Sequence, residues 1–400
     1  MKLKKILGLS LAAAMVLSLG ACGDKKDGGS TTGGTTSTSG STAGGEGGTL
    51  KIGGIGPLTG DNAEYGQAVQ NGAQLAVDEI NAAGGINGMT VEFSMEDDES
   101  DEEKSVNAYN SLKDWGMQML LGTVTSTPCI AVVAETAEDN MFQLTPSGTA
   151  VACLGEAGNA FRVCFSDPAQ GTASADYISE NQLGEKIGII YDSSDTYSSG
   201  IYQNFKSEAE AKGLTIVAEQ AFTKDSNSDF SVQLQKCSDA GADLLFLPIY
   251  YQQASLILQQ ASNMGYAPGY FGVDGMDGVL NVQNFDTSLA EGVMLLTPFA
   301  ASSEDENVQS FVSAYEEAFG ETPIQFAADA YDGVYAIKMA AEKAGITADM
   351  NVSDICDAMK TAMTEIELVG VTGTITWSED GEPNKAPVAV KIEDGVYVDM

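Results

Sequence analysis

Residues 50–95 read LKIGGIGPLTGDNAEYGQAVQNGAQLAVDEINAAGGINGMTVEFSM, and this stretch decides the fold. Its first six residues form a short run, apolar but for Lys51 and closed by Gly56-Pro57, which reads as a strand. Val69, Gly72, Ala73, Ala76, Val77 and Ile80 then recur at the spacing of one helix face, and Gly84-Gly85 ends the helix. Residues 90–95 read as the next strand. A strand, a long amphipathic helix and a second strand make a right-handed crossover between parallel strands.

The alternation continues outward from this unit. Further strands are expected over 117–121, 141–144, 186–191, 214–219, 244–249, 269–273 and 293–297, and helices over 308–319 and 326–344. Sequential strands with crossover helices predict an α/β protein built on doubly wound parallel sheets. So many strands overfill one open sheet, so two lobes are expected. The irregular stretches 166–171, 298–303 and 377–385 are the candidate crossings between them. They divide the chain into 50–168 plus 300–376 and 169–299 plus 377–400.

Upstream of this domain the chain changes character. Lys2, Lys4 and Lys5 precede an apolar run over 6–19, too short for a comfortable membrane span and suited to a cleaved export signal over 1–21. The run Leu17-Ser18-Leu19-Gly20-Ala21-Cys22 resembles a bacterial lipobox. That resemblance implies a lipid-bearing Cys22 and an extracytoplasmic, membrane-anchored protein. Residues 22–49 are dominated by Gly, Ser and Thr, a composition that buries no core and serves as a tether with ends about 30 Å apart.

Composition removes several function classes. The 57 acidic residues against 19 basic ones give a net charge of -38, and Arg162 is the only arginine, so nucleic acid is not an expected partner. With no histidine, neither a Ser-His-Asp nor a Cys-His arrangement can be assembled. Cysteines at 129, 153, 164, 237 and 356 show no C-x-x-C spacing, so no zinc site and no cofactor is expected. Cys153 and Cys164 flank a Gly-containing loop at a spacing that leaves a disulfide open in an exported protein. Residues 225–229 start like an EF-hand loop, but Phe230 stands where the turn glycine belongs and Lys236 where the bidentate glutamate belongs. Ser228 or Asp229 is instead expected to cap a helix beginning near Phe230, with Leu234 on its buried face.

Ligands of open parallel sheets sit beyond the carboxyl ends of the strands. The loops there carry Gly56-Pro57-Leu58-Thr59-Gly60 with Tyr65, residues 122–127 with Ser126, and Thr145-Pro146-Ser147-Gly148-Thr149. Tyr197, Tyr250-Tyr251 and Asp274-Gly275 follow later strands. Gly56-Pro57-Leu58-Thr59-Gly60, Tyr65-Gly66, Asn71-Gly72-Ala73 and the run from Ile80 through Gly84-Gly85-Ile86-Asn87-Gly88, together with Asp229-Phe230-Ser231 and Ala330-Tyr331-Asp332, resemble the substrate-binding lipoproteins of branched-chain amino acid ABC transporters.

The resemblance covers nearly all of 50–400 and implies a type I periplasmic-binding-protein fold, two lobes joined by three crossovers and closing over a ligand. It implies that Ser126, Ser147 and Thr149 hold an α-carboxylate, that Asp274 pairs with the α-ammonium, and that Tyr65, Tyr197 and Tyr250 wall the pocket. The same residue types also serve as turn, cap and rim residues. A disulfide of better-known members would fall at Ser100 and Thr125, where this chain has no cysteine, and Asp274 stands where glutamate is common. The expected function is capture of an amino acid, branched-chain ones first, for delivery to a membrane permease without catalysis. A sensory binding protein for a membrane receptor is the alternative, and an exported amidase or hydrolase is a distant third.

Overall fold

A computed structural model describes residues 47–400 of the chain. The export signal, Cys22 and most of the tether therefore lie outside the described residues. The first strand, β1 (Thr49–Gly56), is the pivot of a five-stranded sheet. Helix α1 (Ala63–Ala82) carries the chain to β2 (Thr90–Asp97), which runs parallel to β1 with Ile52 opposite Phe93. Next come α2 (Glu102–Trp115), β3 (Met119–Gly122), α3 (Ser126–Asp139), β4 (Gln143–Thr145) and β5 (Ala160–Arg162). The order is β2-β1-β3-β4-β5, every pair parallel. Because helices cover both faces, β3 and β4 are buried at every position.

The expected helix face is the one α1 buries, from Tyr65 through Val69 and Ala73 to Ile80. Gly84 and Gly85 follow with φ of 110° and 77°, a left-handed exit that glycine adopts without steric penalty. Gly72 marks a close crossing, because a Cβ added there would stand 2.1 Å from the Ala327 carbonyl oxygen.

Beyond β5 the chain enters a second sheet. Helix α4 (Asp167–Glu180) leads to β6 (Ile187–Asp192), α5 (Thr196–Lys212), β7 (Ile216–Phe222), α6 (Ser231–Asp239), β8 (Leu244–Leu247), α7 (Tyr251–Met264), β9 (Gly269–Gly272) and β10 (Met294–Thr297). It then returns through α8 (Glu306–Phe319), α9 (Gln325–Ala344) and α10 (Val352–Met363) against the first sheet, with a small antiparallel pair, β11 (Leu368–Gly370) and β12 (Gly373–Ile375). Strands β13 (Val388–Glu393) and β14 (Val396–Asp399) finish the second sheet, whose order is β14-β13-β10-β9-β8-β6-β7. These last two pair antiparallel, a departure from the all-parallel expectation. The chain thus passes between the sheets three times, after β5, after β10 and after β12. Among the described residues no helix is long and apolar enough to cross a membrane.

Two local readings are resolved by side chains. Asp229 Oδ1 accepts the Ser231 N–H at 2.9 Å at the head of α6, and Leu234 is fully buried. The open disulfide is not formed: Cys153 and Cys164 are both free, buried thiols. Cys153 Sγ turns instead toward the Ser126 carbonyl, 3.6 Å away, inside a small cluster with Cys129.

Candidate functional site

Strand ends place the sequence-predicted residues around one point between the two sheets. Tyr65 lies on the first turn of α1, Ser126 opens α3, and Ser147 and Thr149 follow β4. From the second sheet come Tyr197 on the first turn of α5, Tyr250 as the residue before α7, and Asp274 after β9. Six of these seven line a common void; Thr149 stands directly behind, its Oγ1 3.5 Å from Ser126 Oγ.

The loop between β4 and β5 is shaped by its own hydroxyls. Thr145 Oγ1 donates to the Thr123 carbonyl at 2.6 Å and accepts the Gly148 N–H at 2.8 Å. Ser147 Oγ donates to the Val124 carbonyl at 2.8 Å, which commits its proton and leaves only acceptor capacity toward the void. Ser126 differs: its Oγ accepts the Ala150 N–H at 3.2 Å, and its own proton can turn to Thr149 Oγ1 at 3.5 Å or to the void. Ser126 also sits in the first turn of α3, where backbone N–H groups lack helical partners and the helix dipole is positive.

The opposite wall is acidic and aromatic. Tyr197 donates its hydroxyl to Asp274 Oδ1 at 2.6 Å and stacks on Tyr250, with centroids 4.8 Å apart and planes 5° from parallel. Asp274 is held by its backbone as well, its N–H on Gln170 Oε1 at 3.1 Å and its carbonyl on Gln325 Nε2 at 3.1 Å. Burial pushes the Asp274 carboxyl up to about 7, against the opposing pull of the Tyr197 hydrogen bond. Burial likewise lifts the Tyr65, Tyr197 and Tyr250 hydroxyls well above their usual range, so all are neutral donors near pH 7.

Tyr65 joins the two walls. Its hydroxyl donates to the Gly275 carbonyl and accepts the Tyr251 N–H at 3.2 Å, while its ring stacks on Phe326 at 4.0 Å. The void enclosed is about 10 Å³, room for roughly one water. It adjoins a mouth of about 290 Å³ lined in part by Asn62, Ser100, Thr125 and Asp195. Ser100 and Thr125, the positions of the missing disulfide, thus face the same space, and Ser100 Oγ instead accepts from Asn62 Nδ2 at 3.0 Å.

Sequence reasoning missed Phe326, Val124 and Gly275. Phe326 sits on α9, far along the chain, and an apolar helical residue reads as ordinary core. Gly275 contributes a carbonyl, which no side-chain pattern reveals.

Comparison with known proteins places the chain in a family. The profile of the family described as periplasmic binding protein matches residues 49–395. The chain is 31% identical over 337 residues to the Leu/Ile/Val-binding protein BraC3 of Rhizobium johnstonii, covering 83% of this chain and 88% of that one. It is 25% identical over 335 residues to the leucine-, isoleucine-, valine-, threonine- and alanine-binding protein of Pseudomonas aeruginosa, covering 84% and 87%. The crystal structure of the branched-chain amino acid transporter substrate-binding protein LivJ of Streptococcus pneumoniae, in complex with isoleucine, superposes with a TM-score of 0.79 at 29% identity, over 88% of this chain and all of that one. The chain belongs to the periplasmic binding protein family, as a relative of its leucine/isoleucine/valine-binding members.

Proposed function

We propose that the protein captures a neutral α-amino acid, branched-chain ones first, between its two lobes outside the cell and passes it unchanged to an ABC transporter permease. One observation carries the reading: the Ser126 hydroxyl and the α3 N-terminus from one sheet face the Asp274 carboxylate from the other across a single tyrosine-walled void. A zwitterion leaving water needs donors at one end and an acceptor at the other, and this void offers both. Ser126 and the Thr149 loop would take the carboxylate, Asp274 the ammonium, and Tyr65, Tyr197 and Tyr250 the aliphatic part. The relatives that bear leucine, isoleucine and valine in their names point to the same ligands.

The void is smaller than any amino acid, so ligand entry requires the Tyr65 contact with Gly275 to open. A ligand touching both walls then favours the closed arrangement by contacts it makes only there. A thermal-shift screen of residues 47–400 against the common amino acids and small carboxylates tests the reading. Leucine, isoleucine or valine at a hundredfold excess over Kd should stabilise the domain by about 2.7 kcal/mol. A shift from aromatic carboxylates and from no amino acid would sink it.

The raised Asp274 pKa gives a second expectation. The free carboxyl, at about 7, is partly protonated at pH 6, and the ligand ammonium holds it ionised. Binding at pH 6 should therefore release up to about one proton, and affinity should fall as pH drops below 7. Calorimetry in two buffers of different ionisation enthalpy reads this directly, and buffer-independent heats would contradict it.

Anchoring by a diacylglyceryl group on Cys22 belongs to the same proposal, supported by the lipobox-like run and the tether composition. The intact mass of the mature protein checks it: acyl chains on an N-terminal Cys22 are expected, and a mature chain without them would remove the anchor.

A further inference from the structure

The only arginine of the chain is fully buried in β5. Arg162 Nη1 donates to the carbonyls of Gly148 at 3.0 Å and Thr149 at 2.6 Å, and Nη2 to that of Ala150 at 3.2 Å. In a trans peptide the C=O and N–H point in opposite directions. Drawing the Gly148 and Thr149 carbonyls toward the guanidinium therefore turns the N–H groups of Thr149 and Ala150 toward the opposite side. The Ala150 N–H is found there, on Ser126 Oγ at 3.2 Å.

A cation on a carbonyl polarises its peptide unit and strengthens the hydrogen bond that the following N–H donates. Ser126 Oγ, accepting that bond, becomes a better donor through its own proton. The guanidinium charge is only partly matched: Glu382 Oε1 lies 3.2 Å from Nη2 but is 39% exposed, and Nε has no hydrogen-bond partner. The same arginine is tied to the third crossing, its carbonyl accepting from Trp377 Nε1 at 2.7 Å and its N–H donating to the Gly381 carbonyl at 3.1 Å.

We propose that Arg162 is a positioning residue for the ligand carboxylate, aligning and polarising the loop over 148–150 so that Ser126 Oγ–H and the Thr149 N–H serve an anion; this rests on the amino-acid reading above. A purely structural arginine would weaken all ligands alike. The test compares leucine with leucinamide, which keeps the ammonium and the side chain but replaces the carboxylate by a neutral amide, titrated calorimetrically at pH 7. Arg162→Lys keeps a cation and loses the planar fork that spans three carbonyls.

Leucine binding to Arg162→Lys is expected to weaken about tenfold and leucinamide binding less than about twofold, so the preference for the carboxylate shrinks. Equal weakening of both ligands, or an unchanged preference, overturns the proposal. Should Arg162→Lys fail to fold, Glu382→Gln carries the test, since it removes a half-exposed counter-charge. Leucine affinity should then rise about two- to threefold with leucinamide unchanged, and unaltered leucine affinity overturns the proposal. A wild type that binds leucinamide as tightly as leucine, or binds neither, overturns the carboxylate seat itself and the proposal with it. That failure is distinct, because it shows before any variant is made.

Discussion

Asp274→Asn should weaken leucine binding by about 2–5 kcal/mol, because the ligand ammonium loses its counter-ion in a buried site. In affinity this is roughly thirtyfold or more. The fold should survive the change. The backbone bonds of Asp274 to Gln170 and Gln325 do not involve the carboxylate, and an asparagine carbonyl oxygen can still accept from Tyr197. Stability should respond in the opposite direction to affinity. The folded carboxyl sits at about 7, above its ordinary range, so its contribution is complete at low pH and is lost as pH rises through 7. At pH 8 the unliganded variant should therefore melt no lower than the wild type. Calorimetric titration and melting curves measure both effects, and wild-type affinity in the variant would remove Asp274 from the site.

Gly72→Leu should destabilise the first lobe by about 3 kcal/mol or more, the upper range for overpacking a tight contact. Gly72 lies on the buried face of α1 where α9 crosses it. An added Cβ would meet the Ala327 carbonyl oxygen at 2.1 Å and its carbon at 2.8 Å, both backbone atoms that no rotamer change can clear. The helices must separate, and α9 also carries Phe326, which stacks on Tyr65. Ligand affinity should fall together with stability. A melting temperature on the order of 10 °C lower is expected, and an unchanged one would mean that the crossing is not as close as described.

The sequence made legible the elements whose apolar spacing is undiluted. Strand β1 and the end of helix α1 stand within one or two residues of their expected positions, because the helix face from Val69 to Ile80 is continuous and Gly84-Gly85 ends it, whereas α1 starts at Ala63, six residues before the first residue of that face. Strand β5 was not legible. It is three residues long and its last is a buried arginine, whose charge is satisfied by carbonyls that no local pattern foretells. Helix α10 buries Ile355, Cys356, Met359 and Met363 at helical spacing behind an Asn351 cap, a readable pattern to which the sequence reading assigned no element. The antiparallel turn of β13 onto β10 depends on how the chain returns after the third crossing, which strand propensity does not encode.

The site divides along the same line. Loops that follow strands pointed to Tyr65, Ser126, Ser147, Tyr197, Tyr250 and Asp274, and the fold gathers them around one void. Which protons are free was hidden. Ser147 donates to the Val124 carbonyl while Ser126 accepts the Ala150 N–H and has only the Thr149 hydroxyl or the void for its own proton, a distinction made by the loop conformation and not by the identity of either serine.

The most direct test is a crystal structure of residues 47–400 grown with leucine. One leucine is expected between the lobes, its carboxylate within hydrogen-bond distance of Ser126 Oγ and the Thr149 N–H, and its ammonium against Asp274. A leucine bound with its ends reversed, seated on one lobe alone, or absent at saturating concentration would contradict it.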